Sequence, residues 1–592
     1  MTSVDLIWLA DKQPAFKWAL GRVDVANQEP QALAEKIHKL ADSPETEAVL
    51  FWSPSCGTPV AEIVSGLVSS PCDCWHAGLR FGTAGLPRIL DFISPTWMLA
   101  CDPPSDVEAT SWRLSLKACL VKTQVLRNLG GLRSGFKTLQ AAGLEMGHRW
   151  IRRGALMRHV PQLVSETQAK THLSDMGVEP QAMPFSDEVR FAYYRFGRKW
   201  TTWALLRAAL TGYADLFTAF RAWREVMSVP RPAEPSALRA PEVNTRTRAT
   251  ENPESEGSVR MFIPPNPKAE ISSPTSQPRV TVLIPTVDRY PYLRVLLDQL
   301  RRQTVSPLEI IIVDQTSKDR RADFAAEFAD LPLKILLQET PGQCSSRNAG
   351  LQLAHGDYVL FVDDDDEVEP DLIARHLSTL AQFGAEVSCG VAEEAGAGAL
   401  PEDFRLLRAS DVFPTNNSLI RRDVLRRSGL FDLAYNRGQR ADGDLGMRIH
   451  LAGALMVLNP AISVFHHHAP SGGLRKHKAR TVTYAMSRSS LFSRVLASVS
   501  DIYLAGRYFP ASHVREMLWQ SMLGAFSIRG GAFKRISKVL ITSIFLPHSL
   551  FTLRKRARLA REMASEFPQI PQLQSTALTR DLGPMSTAPC AS

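Results

Sequence analysis

Four consecutive aspartates, Asp363 to Asp366, directly follow an apolar run from Tyr358 to Val362. The apolar run predicts a buried strand, and four adjacent carboxylates repel one another unless solvent or a cation screens them. Side chains at the carboxyl end of a parallel strand face the crevice in which open α/β sheets bind ligands. Taken alone, the aspartate run favours a solvated turn; the pattern around it favours a binding site.

Strands and helices alternate through the region around these aspartates. The predicted strands cover residues 280–284, 308–313, 333–337, 358–362 and 461–465, and the predicted helices cover 292–300, 319–328 and 345–354. Such alternation indicates an α/β fold with a parallel sheet and right-handed crossovers. Because the carboxyl ends of parallel strands meet at one edge, we expect Asp314, Asp363 and Asp365 to lie close together.

The length of 592 residues is too great for one core, and a segment rich in proline and serine divides the chain. Residues 229–279 are too polar to bury a core, so they predict a flexible linker. We predict five parts. They are an N-terminal domain over 1–228, the linker over 229–279, a catalytic α/β domain over 280–478, a helical basic extension over 479–566 and a disordered tail over 567–592.

The two halves of the chain resemble each other at three places that occur in the same order. Residues 49–53, 118–131 and 144–157 match residues 359–363, 417–430 and 443–456. The pattern favours a duplicated domain whose first copy has lost its chemistry, because Ser53–Ser55 replace the aspartates and Gly143 replaces Asp442. The short distance between its first strand and residue 49 predicts that this copy lacks the second and third strands. The alternative is an unrelated helical domain with a chance similarity.

Charge and cysteine usage bear on the compartment. The net charge is +9, which is a mild excess for this length and gives no specific support for nucleic-acid binding. Eight cysteines at irregular spacings fit neither a disulfide framework nor a zinc ribbon, so we predict reduced thiols in the cytoplasm. The N-terminus is acidic where a signal peptide is basic, and no stretch reaches the ~18–20 apolar residues of a membrane span.

The basic C-terminal region supports two interpretations. Residues 536–551 are apolar, and lysines and arginines stand on both sides of them. This pattern is typical of a helix at an anionic membrane surface, and equally of a core helix with a solvated basic rim. The protein is then either free in the cytoplasm or peripheral at the inner face of the cell membrane.

Five segments within residues 279–475 resemble the family 2 glycosyltransferases and occur in the order of that family. They are Val282–Thr286, Ile310–Asp314, Gly342–Gly350, Val362–Pro370 and Ala441–Leu445. The resemblance implies an α/β catalytic domain of GT-A fold, which is Rossmann-like with a mostly parallel sheet. With the internal similarity, it implies a degenerate GT-A-like N-terminal domain, followed at the end of the chain by a helical tail.

The resemblance also implies a site for a nucleotide-sugar donor and a divalent metal, Mn²⁺ or Mg²⁺. Carboxylate and phosphate oxygens suit such hard cations, and alternate residues of a strand share a face. The start of the helix near Ser345 favours anions. The implied donor-binding residues are Thr286, Asp314, Arg347, Asp363 and Asp364, and the implied metal ligands are Asp363, Asp365 and His466.

Asp442 is the implied general base, which takes a proton from the acceptor hydroxyl. The alternative role for Asp442 is a helix N-cap. Ala441 stands where the family has a glutamate, so the acceptor contacts of that glutamate are in doubt. The polar segment Phe413–Ser418 is expected to face the acceptor.

Together these features predict an inverting, metal-dependent glycosyltransferase that moves a sugar from a nucleotide-diphosphate donor, a UDP-sugar, to a hydroxyl acceptor. The predicted role is cell-surface glycan synthesis, with a glycan or lipid-linked acceptor. Two alternatives remain open. One is a non-catalytic binding or scaffold protein built from sugar-transferase-like domains, and the other is a nucleotidyltransferase, which would release pyrophosphate.

Overall fold

The computed structural model describes residues 3–41, 45–81, 87–164, 183–239, 278–394, 400–469, 472–473 and 490–574. Within these ranges the strands form two sheets, of seven and nine strands. The first sheet belongs to the N-terminal half of the chain and the second to the C-terminal half. Most of the predicted linker and the last residues of the predicted tail lie outside the described residues.

The N-terminal half surrounds the seven-stranded sheet, whose order is β2-β1-β3-β6-β4-β7-β5. Its strands are β1 Val4–Trp8, β2 Val23–Val25, β3 Ala48–Trp52, β4 Cys74–His76, β5 Ala109–Thr110, β6 Ala118–Lys122 and β7 Met157–His159. Its helices are α1 Pro30–Ala41, α2 Ala61–Val68, α3 Thr123–Leu129, α4 Leu139–Arg152, α5 Phe185–Leu210 and α6 Leu216–Met227.

The C-terminal half surrounds the nine-stranded sheet, whose order is β10-β9-β8-β11-β15-β13-β16-β12, with β14 also paired to β16. Its strands are β8 Val280–Thr286, β9 Glu309–Asp314, β10 Leu333–Leu337, β11 Tyr358–Phe361, β12 Asp366–Glu367, β13 Val387–Glu394, β14 Arg408–Ala409, β15 Ser418–Arg421 and β16 Met456–His466. Its helices are α7 Tyr290–Arg301, α8 Gln343–Leu353, α9 Leu372–Phe383, α10 Arg422–Ser428 and α11 Ala441–Leu451.

The predicted α/β class is confirmed, and the strands predicted around the aspartate run are present. Strands β10, β9, β8 and β11 run parallel, and β15 then pairs antiparallel with both β11 and β13. The sheet is therefore parallel around the aspartate run and mixed beyond it. The aspartates lie at the carboxyl end of β11, at the centre of the sheet, as the sequence predicts.

The helix predicted over 319–328 is wrong, because only Lys318–Arg320 form a short 3-10 turn there. Tertiary contacts decide this segment. Phe324 packs on the ring of Tyr290 at 5.5 Å, and the Arg301 guanidinium lies 5.0 Å from the ring of Phe328. Turns deliver both phenylalanines to the core, and such contacts override a weak helical preference.

The two sheets have the same strand order and the same strand directions over seven strands. In chain order, β1 to β7 correspond to β8, β9, β11, β13, β14, β15 and β16. The registers also agree at the positions matched in sequence. Val49 pairs with Val121, which pairs with Cys74, which pairs with Met157; the corresponding chain is Val359, Ile420, Val387 and Met456.

Side-chain contacts repeat between the halves as well. Arg149 in α4 pairs with Glu145 and donates to the carbonyl of Leu129. Arg448 in α11 pairs with Asp444 and donates to the carbonyl of Ser428. The prediction that the N-terminal half lacks a second strand is wrong, because β2 pairs with β1. Three residues are too few to give an alternating pattern in the sequence.

The halves contact each other through corresponding residues. A methyl group on Gly154, after α4, would lie 2.6 Å from the carbonyl oxygen of Leu407. A methyl group on Gly453, after α11, would lie 2.4 Å from the carbonyl oxygen of Glu108. Because Gly154 corresponds to Gly453 and Glu108 to Leu407, the contact is reciprocal, as in an isologous dimer interface.

The chain ends in four helices, α12 Val499–Tyr508, α13 Ala511–Ala525, α14 Ala532–Ile544 and α15 Leu546–Glu566. Helix α12 packs on the C-terminal half, where Tyr508 donates to Asp444 at 2.7 Å. In the described part of the chain no single helix has the length and apolar character of a membrane span. Helices α14 and α15, bent by 60° where they meet, satisfy that test only as a pair.

The linker and the tail, both predicted to be flexible, each begin with residues that pack on the rest of the protein. At the start of the predicted linker, Arg239 pairs with Asp73 at 2.8 Å and Glu234 with Arg195 at 2.9 Å. In the predicted tail, the carbonyl of Pro571 accepts from the Leu430 amide at 2.8 Å. The described residues 229–239 thus lie against the N-terminal half, and residues 567–574 reach the C-terminal half.

Candidate active site

The end of β11 holds Asp363 through two contacts. The Arg347 guanidinium, in α8, donates to its carboxylate at 2.6 Å. The Asp363 amide donates to the carboxylate of Asp366 at 2.9 Å, which bends the chain back after the strand. Arg347 is buried, whereas Asp363 is partly exposed. A buried arginine and a partly exposed carboxylate therefore pair at the carboxyl end of β11.

Asp364 is buried and organises the neighbouring strand end. The Thr286 hydroxyl donates to it at 2.7 Å, and the Arg289 guanidinium donates to it at 3.1 Å. Burial raises the pKa of Asp364 to about 7, against the opposing effect of Arg289. Thr286 and Asp364, both predicted to bind the donor, thus contact each other. Asp364 in turn holds Arg289, and Thr286 holds Asp364.

Asp365 and Asp366 contact the opposite strand, β16. Asp366 accepts from the His466 ring at 2.7 Å, while Asp365 accepts from the Ala469 amide at 2.8 Å. Burial lowers the pKa of His466, but Asp366 and the other aspartates outweigh it and raise that pKa to about 9. Burial likewise raises the pKa of Asp366 to about 7, and His466 opposes it. His466 and Asp366 thus form a buried ion pair at this edge of the sheet.

The fit of these residues to a divalent cation is partial. One carboxylate oxygen of Asp365, Oδ1, is buried and has no hydrogen-bond donor, and it lies 3.0 Å from the Arg289 guanidinium. The charges of His466 and Arg289 outweigh burial and lower the pKa of Asp365, which keeps the carboxylate ionised. No group of three or more potential ligands is gathered for a metal in the described ranges. His466 is turned toward Asp366, so the ligand set Asp363, Asp365 and His466 stays a prediction.

Two other predicted donor contacts are occupied by protein groups. Asp314, at the end of β9, accepts from the Tyr290 hydroxyl at 2.7 Å and from the Thr316 amide at 2.9 Å. At the start of α8, Asn436 accepts from the amides of Cys344 and Ser345 at 3.0 and 2.9 Å. The helix start is therefore capped by a side chain, and the expected anion site near Ser345 is filled by Asn436.

Asp442 lies in the first turn of α11 and lines a cavity of about 320 Å³. Three units of the chain form the walls of this cavity. The lining residues include Trp97 and Met98 from the N-terminal half, Phe413 and Met447 from the C-terminal half, and Leu504, Phe509 and Met517 from the terminal helices. Asp442 is partly exposed on the wall of this cavity, whose lining also includes the charged residues Asp411, Arg440 and Asp501. Its role as a general base stays a prediction.

One aromatic contact links the cavity to the strand that precedes the aspartate run, but the residues that line the cavity do not include Asp363–Asp366, Arg289 or Arg347. The ring of Phe361, the last residue of β11, meets the ring of Phe413 at 5.7 Å, and Phe413 lines the cavity. The expectation for the rest of Phe413–Ser418 is only partly met. Asn417 is fully buried, and its side-chain oxygen accepts from the His376 ring of α9 at 2.9 Å, so it has a structural role.

Three residues of the site are missing from the sequence prediction. Arg289 and Tyr290 follow β8 by only a few residues, and their position after a strand end was a usable signal. Trp97 belongs to the other half of the chain and donates to Asp411 at 2.8 Å, beside the cavity. Nothing in the local sequence around Trp97 indicates that contact.

Residues 281–440 match the family model described as Glycosyl transferase family 2. This part of the chain is a family 2 glycosyltransferase domain. The match confirms the resemblance over residues 281–440, which hold four of the five segments; it ends just before the fifth segment, Ala441–Leu445. The match does not extend into the N-terminal half, so the degenerate second copy stays a prediction.

Relatives of the family 2 domain occur in bacteria. EpsH of Bacillus subtilis (strain 168), a predicted glycosyltransferase, is 37% identical over 119 residues, which are 20% of this chain and 35% of EpsH. Glycosyltransferase GlyA of Streptococcus pneumoniae serotype 4 is 33% identical over 114 residues, which are 19% of this chain and 16% of GlyA. The chain thus spans about a third or less of the length of these two relatives.

Two solved structures are similar over part of the chain. Mannosyltransferase PcManGT from Pyrobaculum calidifontis, in complex with GDP-Man and Mn²⁺, is 18% identical, with a TM-score of 0.32 over 50% of this chain and 84% of that one. S. aureus TarS 1–349 in complex with UDP is 17% identical, with a TM-score of 0.30 over 45% of this chain and 70% of that one.

Proposed function

We propose that the family 2 domain is an inverting glycosyltransferase that moves a sugar from a nucleotide-diphosphate donor, a UDP-sugar, to a hydroxyl acceptor. One observation carries the proposal. The end of β11 gathers an ionised, buried Asp365 and two largely buried arginines, Arg289 and Arg347, at one edge of the sheet. Arginines match the oxygens of a diphosphate, and an ionised carboxylate matches a hard cation.

The donor side of the reaction assigns roles to Arg347 and Asp363. Arg347 binds the diphosphate and stabilises the charge that grows on it as the bond to the sugar breaks. A divalent cation held by Asp363 and Asp365 would neutralise part of that same charge. The electron pair of the broken bond between the anomeric carbon and the diphosphate oxygen leaves with the diphosphate.

The acceptor side assigns the general base to Asp442. The acceptor oxygen forms the new bond to the anomeric carbon, and its proton passes to the Asp442 carboxylate. A single displacement through an oxocarbenium-like state inverts the anomeric centre. In this proposal the apolar part of the cavity wall, together with the bound acceptor, keeps water from competing for the sugar.

We infer that the N-terminal half is a degenerate copy of the same domain. Its support is the shared strand order, the shared register and the repeated arginine contacts of Arg149 and Arg448. In this proposal its function is to close the acceptor cavity with Trp97 and Met98. The acceptor is then a cell-surface glycan or its lipid-linked precursor, whose apolar part suits the cavity walls, and the enzyme works in the cytoplasm.

A donor panel tests the proposal. The full-length protein is incubated with UDP-sugars and GDP-sugars, with and without Mn²⁺, and the release of nucleoside diphosphate is measured. We expect UDP to be released from one donor in the presence of the metal, with no release by Asp365→Ala or Asp442→Asn. Asp371→Asn is the matched control, because Asp371 pairs with Arg375 on the exposed start of α9.

The same assay separates the alternatives. A scaffold protein would be stabilised by UDP in a thermal-shift measurement and would turn over no donor. A nucleotidyltransferase would release pyrophosphate from a nucleoside triphosphate and leave UDP-sugars intact. Either result contradicts the proposed transferase.

A further inference from the structure

Helix α14 exposes most of its apolar side chains, and its two buried residues, Lys538 and Thr542, are polar. Ile536, Leu540 and Ile544 are 59%, 60% and 74% exposed and recur at helical spacing, so they form one stripe. The opposite side of the helix faces the protein, where Lys538 and Thr542 are buried and bond to carbonyl groups. A surface helix of a soluble protein has the reverse arrangement, and within the described ranges of the chain the stripe stays exposed.

The charge around this stripe has one sign. Residues 532–561 contain eight lysines and arginines and no aspartate or glutamate. Helix α15 leaves α14 at a bend of 60°, carries the exposed Phe551 in its second turn, and then presents Arg554, Lys555 and Arg558 to solvent. The apolar stripe and the basic residues therefore follow each other along one bent helix pair.

Neighbouring helices extend the exposed apolar surface. Thr542 of α14 donates to the carbonyl of Ala525 at the end of α13. On α13, Glu516 pairs with Arg207 of α5 at 2.6 Å, and the exposed Trp519 stacks near the same arginine at 5.4 Å. Helices α14, α13 and α5 are thus linked in a row, and exposed apolar residues occur on each of them.

We propose that helices α14 and α15 dock the protein on an anionic lipid surface, with the apolar stripe in the headgroup region and the arginines on the phosphates. Buried apolar area and basic residues together are the two contributions that hold an interfacial helix on a bilayer. A second copy of this chain fits the surface less well. A two-fold contact would bring the same basic residues of both copies together, and like charges repel.

Helix α13 joins the docking helices to the proposed acceptor cavity, and the consequence of that link rests on the proposed function. Met517 and Ser521 of α13 line that cavity, and the carbonyl of Ala525 at the end of α13 accepts from Thr542 of α14. A protein held by α14 and α15 would carry the cavity next to the lipid, where a lipid-linked acceptor is presented. Lipid binding itself does not depend on any catalytic residue.

The test measures co-sedimentation of the full-length protein with vesicles of phosphatidylcholine, alone or with about one third phosphatidylglycerol. We expect binding to the anionic vesicles to be at least about ten-fold tighter than to the neutral ones, and to weaken with salt. The triple substitution Ile536→Ser, Leu540→Ser, Ile544→Ser is expected to reduce the binding by about ten-fold or more. The matched control is Val295→Ser, Leu308→Ser, Leu337→Ser, which removes exposed apolar residues from the family 2 domain and leaves binding unchanged.

Four results overturn the proposal. They are no binding to anionic vesicles at low salt, equal binding to both vesicles, undiminished binding of the triple variant, and a dimer in sedimentation velocity that the triple variant converts to a monomer. If circular dichroism shows that the triple variant does not fold, Arg554→Gln, Lys555→Gln, Arg558→Gln replaces it. That charge variant must lose at least about ten-fold in binding to anionic vesicles, and unchanged binding refutes the docking. If the full-length protein binds anionic vesicles but transfers no sugar, the proposed function is refuted and the docking proposal is not.

Discussion

The two halves of the molecule share a sheet and differ at its edge. Seven strands have the same order and register in both, yet the strand that ends in four aspartates in one half ends in Ser53–Ser55 in the other. The helix that carries Asp442 in one half carries Gly143 at the matching position in the other. The core residues that set the fold are therefore separable from the strand-end residues that set the chemistry.

The shared part is polar as well as apolar. The ion pair of an arginine with a carboxylate four residues earlier, and the bond of that arginine to a backbone carbonyl, occur in both halves at buried positions. Such a contact fixes the end of α4 and α11 against the preceding helix. The two halves thus share contacts that support the fold, while the positions proposed to act on substrate differ.

The largest difference between the halves is expected at Asp442. Asp442→Asn keeps the shape and removes the base, so kcat for sugar transfer should fall by about 10²–10⁴-fold. Asp442→Gly introduces the residue that the N-terminal half has at this position. Its kcat should fall by a similar factor while the protein stays folded. Rates are measured at saturating donor and acceptor, and thermal midpoints verify folding. Activity within ten-fold of the wild type in Asp442→Asn would remove Asp442 from the mechanism.

The shared ion pairs give the next largest effect, and both halves should respond. Arg448→Met removes the counter-ion of the buried Asp444, whereas Arg149→Met leaves Glu145 with Arg133 and Arg195 at 3.2 and 3.6 Å. Arg448→Met should lower the free energy of unfolding by about 3–5 kcal/mol, because a buried charge loses its counter-ion, and Arg149→Met should lower it by about 1–3 kcal/mol through the lost bonds of the arginine. Urea unfolding measures both, with Arg426→Met on the exposed side of α10 as the control. A cost in one half only would contradict the equivalence of the two contacts.

The reciprocal glycines test the contact between the halves. Gly154 and Gly453 have φ of +95° and +83°, and a methyl group on either would strike a carbonyl of the other half. Gly154→Ala and Gly453→Ala should each cost about 2–4 kcal/mol, from the left-handed backbone and the clash together. Gly66→Ala, in α2 with open space around it, is the control and should be neutral or stabilising. Unequal costs at the two glycines would show that the contact is not symmetric.

The sequence predicts the parts of this molecule that local pattern determines. The strands β8 to β11, the aspartate run and the position of Asp442 can be predicted because each depends on residues that are adjacent in the sequence. The similarity between the two halves can be recognised because three matching segments occur in the same order in both. Short elements are not, and β2, with three residues, escapes prediction for that reason.

The rest of the site depends on contacts between distant residues. Arg289 lies between Asp364 and Asp365, and Asn436 caps α8, because the fold brings separate loops together. Trp97 reaches the cavity from the other half of the chain. No periodicity or composition reports such contacts, so the predicted roles of Asp314 and Ser345 omit the protein groups that already bond to them.

The smallest expected effect concerns acid. His159, in β7, is buried, and its pKa is lowered to about 4, mainly by burial, while the matching residue of β16 is Leu458. Between pH 6.5 and 4 the unfolded chain binds this proton and the folded chain does not, so stability falls as the pH falls through that window.

His159→Leu gives the N-terminal strand the residue of its counterpart and removes this dependence. Unfolding free energy of the wild type relative to the variant should therefore drop by about 2 kcal/mol between pH 7 and pH 5. At pH 7 the variant itself should be less stable by about 1 kcal/mol, because the ring no longer bonds to the Ser105 carbonyl. Parallel curves of stability against pH for the two proteins would contradict a buried neutral imidazole at this position.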